Sequence, residues 1–137
     1  MRLSTTSEYA IRSLVYMASC GSELCSVMHM SEKLDIPYKY LGRLMSTLGN
    51  AGLISATRGK NGGYTIDKPL DTIRLLDIIK IVDGLDNFDR CLLGFSECND
   101  DDPCPMHDYW KGHKEGITDM ITNVSLADML ASKRKKF

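Results

Sequence analysis

Two amphipathic stretches meet at Asp35-Ile36-Pro37, and this break constrains the fold more than any other feature of the 137-residue sequence. Proline lacks the N–H that a helix interior needs and its ring clashes with the preceding turn, so no single helix runs through it. Before the break, Val27–Leu34 follows Ser26, whose side-chain oxygen suits a helix N-cap. After it, Leu41, Leu44, Met45 and Leu48 recur at helical spacing and leave Lys39, Tyr40, Arg43 and Ser46 on another face. The break predicts two helices joined by a tight turn, the second with an apolar side to bury and a polar side to present.

The flanking sequence extends this unit in both directions. Ile11, Leu14, Val15 and Ala18 predict a helix over residues 6–18, with Thr5 and Glu8 spaced as a capping box and Gly21 as its stop. Downstream, β segments at residues 53–56 and 64–66 flank Thr57-Arg58-Gly59-Lys60-Asn61-Gly62-Gly63, a glycine-rich hairpin tip. Helix, helix-turn-helix and hairpin in this order predict a winged helix-turn-helix over residues 1–66. Asp71 is the expected N-cap of a helix carrying Leu75, Ile78, Ile79 and Val82 and stopping at Gly84, a connecting helix within residues 67–85 that packs back on the first.

Periodicity then disappears. Residues 86–107 hold Gly94, Asn99, three consecutive Asp and two Pro, and are expected to form a loop. Ile117, Met120, Ile121 and Val124 mark a long helix starting near Pro105 or His107, with more apolar surface than a small domain needs for itself. Its natural use is dimerisation, which assigns residues 108–137 to a dimerisation helix and a basic tail, Lys133-Arg134-Lys135-Lys136. Ser125 and Asp128 repeat the capping-box spacing ahead of Leu126, Met129 and Leu130. The fold class is therefore mainly α with a small β-hairpin.

Composition narrows the function. Apolar residues make up 43% and charged residues 26%, ordinary globular usage, and Lys80 interrupts the longest apolar region far below the ~20 residues of a membrane span. Met1-Arg2-Leu3-Ser4 leads into an amphipathic segment rather than an apolar leader, which points to the cytoplasm. The net charge of -1 conceals an asymmetry: residues 1–66 carry seven Lys or Arg against four Asp or Glu, while residues 67–128 carry six against fourteen. A basic helix-turn-helix points to double-stranded DNA. Lys39, Tyr40 and Arg43 at the start of the second helix are candidates to reach base edges in the major groove, and Arg58 and Lys60 on the wing are candidates for phosphate.

The second constellation is Cys91-x6-Cys98-x5-Cys104-x2-His107, inside the acidic loop. Five Cys in a chain without an export signal do not suggest a disulfide framework. Thiolates are soft anionic donors for iron-sulfur clusters and zinc, and an imidazole completes a set of four. The residues alone leave open an iron-sulfur cluster, a structural zinc, or metal-free redox thiols. A thiol enzyme using Cys91 or Cys98 lacks a legible activating base and substrate pocket, so no enzymatic activity is expected. Cys20 and Cys25, in or beside the first helices, are expected to pack as small apolar residues.

Together these elements resemble the IscR, NsrR, RirA and CymR type of bacterial winged-helix regulators. The resemblance is carried by Met1-Arg2-Leu3-Ser4 with Glu8-Tyr9-Ala10, by Ile36-Pro37-Tyr38-Lys39-Tyr40-Leu41 and by Gly52-Leu53-Ile54, then by the wing from Arg58 to Tyr64 and the loop from Cys91 to His107. It implies a homodimer on a palindromic operator, controlled by an iron-sulfur cluster that senses iron-sulfur status, oxygen, nitric oxide or iron. It matches Lys39, Tyr40 and Arg43 to the groove-reading helix, Arg58 to the wing arginine, and Cys91, Cys98 and Cys104 to the cluster ligands. His107 is the expected fourth ligand, and Glu8 of the partner subunit the alternative. The first Cys gap is one residue longer than in the IscR branch, which leaves a two-iron two-sulfur cluster as the expectation and a four-iron four-sulfur cluster as the alternative. Gly42 stands where the IscR branch has a larger polar residue, so the operator sequence does not carry over.

Overall fold

A computed structural model describes residues 3–86, 88 and 90–132, and the tail Lys133-Arg134-Lys135-Lys136 lies outside the described residues. Helix α1 runs Thr5–Ser19, α2 Val27–Leu34 and α3 Tyr38–Asn50. Strands β1 (Ser55–Thr57) and β2 (Gly63–Thr65) form the wing, followed by α4 (Leu75–Val82), α5 (His107–Asn123) and α6 (Leu126–Ala131). This is a winged helix-turn-helix with one antiparallel hairpin, as the patterning predicts.

The turn between α2 and α3 forms because each of its residues satisfies a separate demand. Ser26 caps α2 by accepting from the His29 N–H at 3.1 Å. Asp35 ends the helix in the left-handed region at φ 53°, a conformation that Asp tolerates better than most residues. Ile36 drops into the core at 2% exposure while its backbone is held on both sides: its N–H donates to the Ser31 carbonyl and its carbonyl accepts from the Ser31 hydroxyl. Pro37 then opens α3, its carbonyl accepting the Leu41 N–H at 2.9 Å.

The apolar faces of α1, α2 and α3 close over one core, with Leu14, Met30, Leu41, Met45 and Leu48 buried at its centre. Cys25 is part of this core and Cys20 packs against it. Helix α4 packs on α1. At that contact the Ser4 and Ser7 hydroxyls both donate to Asp83, just past the end of α4.

Three boundaries differ from the sequence expectation. The N-cap of α1 is Ser4, which accepts from the Ser7 N–H at 3.0 Å, rather than Thr5; three consecutive hydroxyl residues compete for that role and packing selects the first. Asp71 lies in a 3-10 turn (Leu70–Thr72) rather than capping α4, whose entry is fixed by the Arg74 N–H donating to Asp77 at 3.0 Å. The wing pairs Ser55 with Thr65, Ala56 with Tyr64 and Thr57 with Gly63, later on the first strand and earlier on the second than expected, because Leu53 and Ile54 are drawn into the core.

Two short bridges complete the fold. Cys25 and Tyr64 exchange backbone hydrogen bonds at 3.0 and 2.9 Å, which fastens the wing to the segment before α2. A Cβ on Gly63 would lie 2.7 Å from the Cys25 carbonyl oxygen, so this approach requires glycine. Arg74 and Ser125 form the second bridge, flanked by Leu75 donating to Val124 and Leu126 donating to Ile73. The expected Ser125–Asp128 capping box forms and opens α6, whose Leu126 is fully buried in the helix-turn-helix core.

Candidate nucleic-acid interface and metal centre

The face of α3 opposite the core presents Lys39 and Arg43, both exposed. Tyr40, the third expected reading residue, is half-buried: its ring meets Tyr9 edge-on at 5.5 Å and its hydroxyl bonds to Thr6. It joins α3 to α1, so Lys39 and Arg43 stand on a braced helix. Arg58 and Lys60 are exposed at the hairpin tip between β1 and β2. The described residues thus display four cations on the helix and the wing that a winged helix-turn-helix presents to DNA.

The cysteine loop brings its four expected ligands into two pairs. Cys91 Sγ and Cys104 Sγ lie 3.3 Å apart. Cys98 Sγ faces His107 Nδ1 at 3.7 Å, with His107 at the first position of α5. Cys91 and His107 are each 6% exposed. Among the described residues, no three His, Cys, Asp or Glu side chains converge as a ready metal cage. Glu8 lies in the first turn of α1, and both pairs form without it.

The electrostatics of the pairs differ. Burial works to raise the Cys91 thiol, but the Leu93 N–H, the Cys104 thiol and the N–H groups of Phe95 and Gly94 together hold it below the ordinary thiol value. Cys104 is raised, first by its hydrogen bond to Cys91 and then by burial, so the pair yields its first proton from Cys91. On the other side, His107 Nε2 meets Asp100 Oδ1 at 2.8 Å. Asp100 is itself gripped by Lys111 at 2.9 and 3.1 Å. The Lys111 and His107 hydrogen bonds hold the Asp100 carboxyl below the usual carboxylate range.

Asp100 is the residue that sequence reasoning missed. It opens a run of three Asp that reads as a solvated loop, and only the fold sets it against His107. The remaining signal was the seven-residue separation of a carboxylate from a histidine at a helix start, too general to single it out.

Helix α5 buries only His107 and Ile121. Of its expected apolar stripe, Ile117 is half-buried and Val124 follows the helix end, whereas Met120 is 51% exposed and Tyr109, on the same outward side, 74%. No helix among the described residues is long and apolar enough to cross a membrane.

Residues 3–132 match the Rrf2 family, described as an iron-dependent transcriptional regulator. The chain belongs to the Rrf2 family. The HTH-type transcriptional regulator IscR of Pectobacterium atrosepticum is 31% identical over 134 residues, spanning 97% of this chain and 81% of that one. The solved structure of CymR, the global cysteine regulator of B. subtilis, superposes with a TM-score of 0.79 at 23% identity and covers 96% of this chain and 97% of its own. IscR of T. potens superposes with a TM-score of 0.73 at 25% identity, covering all of this chain and 94% of its own. Rrf2 relatives are transcriptional regulators, not enzymes, and this Rrf2 chain is a DNA-binding transcriptional regulator of the same winged-helix fold.

Proposed function

We propose that this Rrf2 protein acts in the cytoplasm as a homodimer on a palindromic operator, and that an iron-sulfur cluster held by Cys91, Cys98, Cys104 and His107 controls its operator binding. The arrangement of His107 carries the cluster reading. Metal-binding imidazoles characteristically give their second nitrogen to a carboxylate, which fixes the tautomer. Here one ring nitrogen faces Cys98 Sγ while the other meets Asp100, anchored by Lys111.

The donor spacing also fits. Two thiolates on one tetrahedral metal at about 2.3 Å stand roughly 3.8 Å apart, so the Cys91–Cys104 pair at 3.3 Å needs to open only slightly. Two pairs suit a two-iron two-sulfur cluster, in which each iron takes two protein ligands, better than a four-iron cube. When bound, the cluster supplies a redox-responsive cross-link between the start of α5 and the loop that follows α4. Such a cross-link orders or releases a segment, and it shifts operator affinity insofar as it favours one dimer geometry.

Lys39 and Arg43 read the major groove, and Arg58 and Lys60 hold phosphate. The exposed side of α5 with Tyr109 and Met120 pairs with a second copy, within the division into residues 1–66, 67–85, 86–107 and 108–137. The signal sensed is iron-sulfur status, oxygen, nitric oxide or iron. Anaerobic absorption and Mössbauer spectra of the purified protein test the proposal: two irons per chain support it, and a colourless protein with stoichiometric zinc overturns it in favour of a structural zinc. If His107→Ala leaves the cluster spectrum and stability unchanged, the fourth ligand passes to Glu8 of the partner subunit.

One distance favours a second reading, redox control by thiols. At 3.3 Å, Cys91 and Cys104 need only a small approach to close a disulfide of about 2.05 Å. A hydroperoxide would take both thiol protons and two electrons, leaving the disulfide, an alcohol and water. Iron-free protein that binds its operator when reduced and releases it when oxidised selects this reading.

A further inference from the structure

Val27, at the start of α2, and Tyr38, Lys39, Gly42 and Arg43, at the start of α3, line an open groove of about 420 Å³. Its floor and its rim differ in character. Val27 is half-buried and Tyr38 is 52% exposed, and next to Val27 on α2 stands Met28 at 57% exposure. Lys39 and Arg43 are exposed cations on the rim, and among the described residues no acidic side chain lines the groove. Gly42 leaves space above the floor: a Cβ there would meet nothing within 4 Å.

Cations alone would suit any polyanion, and an apolar floor gains nothing from phosphate. In the DNA major groove the apolar group available for contact is the 5-methyl of thymine. Lys39 and Arg43 bring the groove against a duplex, and the absent side chain at Gly42 lets the base edge approach the helix backbone. Covering the exposed parts of Tyr38 and Val27 with a methyl group removes apolar area from water and so favours binding.

We infer that Val27, Tyr38 and the gap at Gly42 form a pocket for a thymine methyl group, one in each half-site of the operator. The pocket is a specificity-determining element and rests on the DNA-reading role proposed above for α3. Lys39 and Arg43 then serve the neighbouring positions, an arginine being able to pair bidentately with a guanine.

Full-length protein is used to select its preferred duplex from a random pool. Each thymine of that duplex is then replaced singly by deoxyuridine, which lacks only the methyl group. One position per half-site should lose about three- to fivefold in affinity, the value of one buried methyl group. Gly42→Leu fills the gap with a good helix former in open space, and should bind thymine and deoxyuridine at that position equally while melting no lower than the parent. Tyr38→Ala should abolish the same discrimination. Equal binding of thymine and deoxyuridine at every position of a selected duplex overturns this inference and leaves DNA reading intact. Failure to select any sequence overturns the DNA-reading role and the pocket together.

Discussion

The helix-turn-helix and the cysteine loop of this Rrf2 protein are built on opposite principles. In the first, α1, α2 and α3 bury Leu14, Met30, Leu41 and Met45 to zero exposure, and polar groups such as Ser26 and Ser31 tie the turns. In the second, Leu92, Leu93 and Phe95 stand 44%, 52% and 58% exposed, and the inward-facing groups are Cys91 and His107. The reading unit holds its shape by apolar burial, while the loop is held by polar contacts such as Asp100 with Lys111 and His107 and by its cysteine and histidine pairs. A change in the loop of the kind proposed above therefore leaves the reading unit intact, because the two draw on different interactions.

The most severe test of that contrast is deletion of side chains on each side. Ile36→Ala should cost about 2–5 kcal/mol, the usual range for a buried aliphatic, whereas Leu93→Ala should stay within about 0.5 kcal/mol. Denaturant unfolding of iron-free protein measures both, and comparable losses would break the contrast. Next in size, Asp100→Asn should weaken iron retention about 10- to 100-fold, as loss of a carboxylate behind a metal-bound imidazole does, with the unfolding midpoint of iron-free protein unchanged. Competition with a chelator reads this effect directly.

Smaller effects test the junction and the wing. Ser125→Ala removes the cap of α6 and should cost about 1 kcal/mol, separating the return of α6 from the rest of the core. Asp128 is held below the usual carboxylate range by the Ser125 N–H and then the Ser125 hydroxyl. Its folded value lies below its unfolded one, so its contribution is complete above pH about 4 and is lost as pH falls through the lowered folded value. The stability gap between the parent and Asp128→Asn should therefore close below that range in acid unfolding. Arg58→Ala should leave stability unchanged and reduce the slope of log affinity against log salt by about 1 per subunit if it meets phosphate. An unchanged slope removes Arg58 from the interface.

The contrast also explains what was legible in advance. The α2–turn–α3 unit was readable residue by residue because Ser26, Asp35, Ile36 and Pro37 act on their immediate neighbours. The hairpin register and the entry to α4 were not, since both depend on where Leu53, Ile54 and Ile73 find space in a core assembled from distant segments. Cys91, Cys98, Cys104 and His107 were visible as donor types, but their division into pairs is a property of backbone path through an aperiodic loop. Asp100 and Val27 were hidden for opposite reasons: one looked like any solvated acid, the other like any core aliphatic.

The bridge between Arg74 and Ser125 orders events during synthesis. Leu126, fully buried, is made after the whole cysteine loop. Cys91, Cys98, Cys104 and His107 are therefore all joined to the chain before the helix that completes the core. A chain that stopped inside the loop would lack the last apolar side chain of the helix-turn-helix core as well as its donors.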